Sequence, residues 1–139
     1  YKIERQLEHF KEKDGIHSEV KKGVMSAIEL FMWLQRNKEK GRVCVLDDAD
    51  GIFKDENALA ILKGALDTSD VRKISWTTAS HLIESNGLDR EFVYEGSMIF
   101  ITNLNWRQQI AKGRGPMVDH MQALMTRVHY LDLKLHTER

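Results

Sequence analysis

Apolar positions recur along this chain with two periods, one helical and one continuous. Ile3, Leu7 and Phe10 fall on one face among Lys, Glu and Arg and predict a helix over residues 2–13, which Asp14-Gly15 ends. Residues 16–22 fit an edge strand. Ser26 with Glu29 three positions on is a capping-box pattern, opening a helix to about Asn37 with Ile28, Phe31, Met32 and Leu34 as its stripe. Lys38-Glu39-Lys40-Gly41 is a charged turn. It leads into residues 42–47, where Val43-Cys44-Val45-Leu46 form an unbroken apolar run, the pattern of a strand buried on both faces.

A second amphipathic helix is predicted over 56–66 on Leu59, Ile61, Leu62 and Leu66, and Asp67-Thr68-Ser69-Asp70 is turn chemistry. Residues 71–78 and 91–94 are β-rich and predict a hairpin inserted around 71–94, with a short helical turn at 81–86. Residues 97–103 repeat the theme of an apolar, buried strand running into a polar end. Val118, Met121, Leu124 and Met125 have helical spacing over 118–125, and a last strand is predicted over 128–135. Buried strands alternating with helices predict an α/β protein, a three-layer α/β/α sandwich on a mainly parallel sheet.

Composition narrows the class without naming a function. With 139 residues the chain is one domain with room for a core. Lys plus Arg and Asp plus Glu number 21 each, so net charge offers no argument for a nucleic-acid or membrane surface. The single cysteine, Cys44, lies inside the apolar strand and reads as a small core residue in a reducing compartment. No apolar run reaches membrane-spanning length. The six histidines lack ligand spacing, and Met121 and Met125 have core spacing.

The chemistry gathers where the first buried strand ends, in Asp47-Asp48-Ala49-Asp50-Gly51. Open α/β sheets bind ligands beyond the carboxyl ends of their strands. Acids placed there hold a divalent cation and polarise a water. Plainer roles stand beside that one. The acids suit a solvated turn, and Asp50 suits a turn cap better than a metal. Asn103 could cap the segment 104–110, and Arg127 could be a surface arginine favoured at a helix end. Trp76 reads as exposed on the hairpin, where it would touch DNA or a partner unless it packs.

Asp47-Asp48 ending one strand, Thr102-Asn103 ending the next, and Arg127 within Ala123-Leu124-Met125-Thr126-Arg127-Val128 come in an order that resembles the AAA+ branch of P-loop ATPases, in particular phage-type cores. The resemblance runs over residues 16–135. It implies that Asp47 is the Walker B aspartate holding Mg²⁺ through water. Asp48 then stands where the family commonly has a water-orienting glutamate, and its missing methylene implies adjusted geometry or slow hydrolysis. Asn103 corresponds to sensor 1, and Arg127 to the arginine finger that reaches a neighbouring subunit's nucleotide. ATP and Mg²⁺ are the implied cofactors, a homo-oligomeric ring (a hexamer) the implied assembly, and DNA or a DNA-replication protein the implied further partner. The implied setting is the cytoplasm of a bacterial or phage-infected cell. A loose, highly charged transition state needs just such positioned carboxylate-held cation, amide and guanidinium groups.

The departure from the family is the phosphate loop, since no Gly-Lys-Ser/Thr follows a strand anywhere in the chain. Gly113-Arg114-Gly115-Pro116 is the one glycine-rich spot and lacks those residues. The family's helical lid is likewise missing. The resemblance therefore implies a partial core, residues 1–139, without its first strand, phosphate loop or lid, binding ATP weakly by itself. Two other readings stay open: a catalytically inactive P-loop-like interaction or scaffold domain, and a metal-dependent hydrolase using Asp47, Asp48 and Asp50. The latter needs converging ligands, with Glu95 and Asp132 as candidates.

Overall fold

A computed structural model describes residues 15–131 together with the single position Arg5. The helix expected over 2–13, the end of the strand expected over 128–135, and Asp132 lie outside the described residues. The protein is mixed α/β. Three strands, β1 (His17–Lys22), β2 (Arg42–Asp47) and β5 (Ser97–Ile101), form a parallel sheet with β2 in the middle. A separate antiparallel pair joins β3 (Lys73–Ser75) to β4 (Glu91–Val93), which is the inserted hairpin expected around 71–94. The helices are α1 (Ala27–Arg36), α2 (Glu56–Ala65), α3 (Leu82–Ser85), α4 (Trp106–Lys112) and α5 (Pro116–Met125).

The apolar run explains the centre. Cys44, Val45 and Leu46 are 0, 0 and 2 % exposed in succession, as expected of a strand covered on both faces and paired on both edges. β1 to β2 and β2 to β5 both step the same way across the sheet. The right-handed rule for parallel crossovers places α1 and α2 on the same face when both steps go the same way, in keeping with the packing of the two helices together. Because all three strands run in parallel, Lys22, Asp47 and Ile101 end on one rim.

β5 departs from expectation. Its composition is as apolar as that of β2, yet Met98, Ile99, Phe100 and Ile101 are only half-buried. Among the described residues β5 pairs with β2 alone, so it is an edge strand where the pattern predicted a fully buried one. Apolarity reports what a strand could bury, and the neighbour on its far side decides what it does bury.

α1 begins as predicted, with Ser26 Oγ accepting from Glu29 N at 3.3 Å. It is buried almost all round, from Leu30 through Gln35. The hairpin is the cause. Ile74 sits opposite Phe92 with both side chains buried, while Ser75, Lys73 and Glu91 pair on the outer face. Phe92 meets Phe31 edge-on at 5.2 Å, and Trp76 lies 5.8 Å from the same ring. Trp76 is thus a packed side chain and not the exposed aromatic the sequence implied. Gln35, a buried polar residue, is satisfied by exchanging two hydrogen bonds with the Asp89 backbone at 2.7 and 2.8 Å. Gly96 is required here, since a Cβ would stand 2.8 Å from both Asn37 O and Tyr94 Oη.

α2 starts at Asp55, whose Oδ1 accepts from Asn57 N and Ala58 N. Its other end is closed by Arg72, which donates to Ala65 O at 2.7 Å and to Gly96 O at 3.2 Å while lying over the Tyr94 ring. α5 packs along α2. Beyond α5 the expected strand does not form over 128–131. Arg127 N instead continues the helical turn to Leu124 O, and the Tyr130 ring takes the Arg107 guanidinium at 5.3 Å.

Candidate functional site at the carboxyl rim

β2 delivers Asp47 and Asp48 to the rim, and β5 delivers Thr102 and Asn103 beside them. Asp48 N donates to Ile101 O at 3.0 Å, extending the β2–β5 ladder by one residue. Asp48 adopts φ 55, a left-handed conformation that Asp tolerates better than most residues. Its side chain is exposed, and so is that of Asn103. Asp47 is tighter: it is 22 % exposed and lies 3.4 Å from Lys22 Nζ, the residue opposite it at the end of β1.

Asp50 neither caps a turn nor joins a metal cluster. Its Oδ1 accepts from Thr102 Oγ1 at 2.6 Å, and Thr102 Oγ1 in turn accepts from Leu104 N at 3.0 Å. Asn103 is not the cap of the following segment either. Asn105 Oδ1 takes that role by accepting from Gln108 N at 3.1 Å, which leaves the Asn103 carboxamide with no hydrogen-bond partner among the described residues. The structure therefore brings Asp47, Asp48 and Asn103 to one rim.

Arg127 is elsewhere. Nη1 donates to Ala123 O at 2.7 Å, and Nε, buried with no hydrogen bond, lies 3.9 Å from Asp67 Oδ1. Asp67 follows the far end of α2, a ten-residue helix about 15 Å long, so Arg127 sits by the end of that helix remote from Asp55. The Asp67 carboxyl is held below its ordinary range by hydrogen bonds from Ser69 and the Thr68 amide, with Arg127 a lesser cause. The Arg127 side chain retains 25 % of its exposure, so it has an outlet to solvent on that side.

Two groups are spectators. Burial pushes the Cys44 thiol up to about 12, which keeps it uncharged and unreactive. Burial likewise raises Tyr94, whose hydroxyl bonds Ser97 O.

The rim carries groups that could hold a hard cation. Asp47, Asp48 and Asn103 offer hard oxygen donors, and Mg²⁺ commonly keeps several waters and takes only one or two carboxylates. No three His, Cys, Asp or Glu side chains gather as a metal cluster among the described residues. The phosphate end is different. Gly115 (φ 95) and Pro116 link α4 to α5 rather than a strand to a helix, so that spot is a helix connector and no phosphate cradle. Single-sequence reasoning missed Lys22, Thr102 and Asp55 as partners, because each acts through a contact the spacing does not reveal. No described helix is long and apolar enough to cross a membrane.

No protein-family model matches the chain, and no solved structure matches it. Over 115 residues it is 41 % identical to an uncharacterized 36.7 kDa protein of Enterobacteria phage T4, encoded in the nrdC-mobD intergenic region. The match covers 83 % of this chain and 35 % of the phage protein, so the chain spans about a third of that relative's length.

Proposed function

We propose that the chain is the acid-bearing part of an AAA+-type ATPase core, a P-loop-like α/β/α sandwich whose phosphate-binding part lies in other residues of the full-length protein. One observation carries this reading: Asp48 and Asn103 stand at the ends of adjacent parallel strands, cross-linked by the Asp48 N to Ile101 O bond. Acid-tipped strand in the centre, amide-tipped strand beside it, is the order the resemblance requires. ATP with Mg²⁺ would supply the charged phosphoryl group and its counterion at this rim. Asp47 would hold the cation through water, Asp48 would orient the attacking water, and Asn103 would donate its amide N–H to oxygens gaining charge. Arg127, by the end of α2 remote from Asp55, would serve that chemistry at a neighbouring subunit's rim, as a ring requires. The phage relative supports a phage setting, and phage DNA replication or remodelling is the proposed context.

The inactive-scaffold reading draws on a different observation, the Lys22–Asp47 ion pair that already occupies the cation-binding carboxylate. The two separate in the full-length protein. Asp48→Asn should keep nucleotide binding and lower turnover by about 10²–10³-fold, since the carboxylate acts on water and not on affinity. Absence of nucleotide binding in the unmodified full-length protein, or equal loss of binding and turnover in the variant, overturns the ATPase reading.

A further inference from the structure

We infer that Asp50 and Thr102 form a latch that positions Asn103 against Asp48. Its geometry is independent of the nucleotide reading, and its catalytic consequence rests on that reading. The two residues are 52 positions apart in sequence, yet their side chains meet at 2.6 Å in a part-buried contact. A hydroxyl donating to a carboxylate at that length is among the stronger hydrogen bonds in proteins. Both partners are stiffly held. Asp50 opens the short 3-10 turn Asp50–Lys54, which buries Ile52 and Phe53. Thr102 is β-branched, with restricted χ1, at the exit of β5.

The Thr102 hydroxyl is used twice. It donates to Asp50 and accepts from Leu104 N, closing a small ring of backbone with Asn103 at its apex. Asn103 therefore owes its place to Thr102, and Thr102 owes its orientation to Asp50. On the other strand Asp48 sits two residues before Asp50, and its N–H is tied to Ile101 O, the residue before Thr102. Two cross-links, one from backbone and one from side chains, thus bracket the two candidate catalytic groups. Neither Asp50 nor Thr102 touches where substrate would sit in this reading. They are positioning residues, and Asp50 spends an oxygen on Thr102 that a metal ligand would need.

A latch predicts that donor and acceptor fail together. In the full-length protein, Thr102→Val and Asp50→Ala should each lower kcat for ATP by about 10- to 100-fold, the scale of a misplacement of about 1 Å, with KM little changed. Thr102→Ser, which keeps the hydroxyl, should restore kcat. The double variant should be no slower than the slower single, because the second change removes a bond already broken. Amide hydrogen exchange at Leu104 should accelerate in Thr102→Val and Asp50→Ala and not in Thr102→Ser. Additive losses, or unchanged kcat in a turning-over enzyme, overturn the latch. If the unmodified protein hydrolyses no ATP, the ATPase reading fails by itself and exchange decides the latch: faster Leu104 exchange sustains it, and unchanged exchange overturns it. Should Asp50→Ala fail to fold, Asp50→Asn, which retains an acceptor oxygen, is measured in its place, with a smaller shift in the same direction.

Discussion

The two ends of α2 are built from similar materials to opposite effect. At the rim end, Asp55 caps the helix with its own carboxylate, and the acids just upstream, Asp48 above all, are left facing solvent. At the far end, Arg72 closes the helix by bonding Ala65 O and Gly96 O, and Arg127 is drawn toward Asp67 and Ala123 O. The far end spends its charged groups on holding helices and hairpin together. The rim spends Asp50 and Lys22 locally and keeps Asp48 and Asn103 uncommitted. Unpartnered polar groups on ordered strand ends are what a binding rim needs, and guanidinium groups bonded to backbone carbonyls are what a structural clasp needs.

Arg127 tests the boundary between those roles most severely. If it acts on a neighbour's rim, Arg127→Ala should lower ATP turnover of the full-length protein by about 10³-fold or more. Mixing that variant with subunits that carry Arg127 and a disabled Asp48 should recover activity, read as turnover against mixing ratio. A lack of recovery assigns Arg127 wholly to the clasp at the end of α5. Arg72→Ala strikes the clasp alone. It removes charged hydrogen bonds to two carbonyls and the contact with Tyr94, and should cost about 2 kcal/mol in denaturant unfolding while leaving nucleotide affinity intact. Loss of affinity in step with stability would mean the two ends are not separable. Asp55→Ala strikes the rim end of the same helix. Loss of a side-chain cap should cost about 1 kcal/mol, visible as a shift in the denaturant midpoint without a change in slope.

Much of the fold was legible because it is local. The capping box at Ser26, the unbroken run at 43–46 and the helical stripe of α2 each report their element from a few neighbouring residues. The hairpin was legible from two β-rich segments, 71–78 and 91–94, on either side of a short helical turn. Trp76 was misjudged because nothing in its neighbourhood says that Phe31, 45 positions away, lies beneath the hairpin. β5 was misjudged because burial of an apolar strand depends on a neighbour its own residues do not specify. The segment 128–131 has strand composition, yet the turn continued by Arg127 and the Arg107–Tyr130 contact hold it out of a ladder. For the candidate site, the acid pair and Asn103 could be named from strand ends alone. Asp50 could not be given its role, because its partner is reached only after a helix, a hairpin and another strand.

Taken by itself, the sequence determined which residues would sit at strand ends, since an apolar run must stop where polar side chains meet water. Tertiary structure alone decided which strand ends are neighbours. It put Asp48 beside Asn103, joined Asp50 to Thr102, and carried Arg127 to the opposite end of α2. The physical reason is range: solvation and helical periodicity act on a residue and those near it, whereas parallel pairing joins segments whose order across the sheet no local pattern encodes.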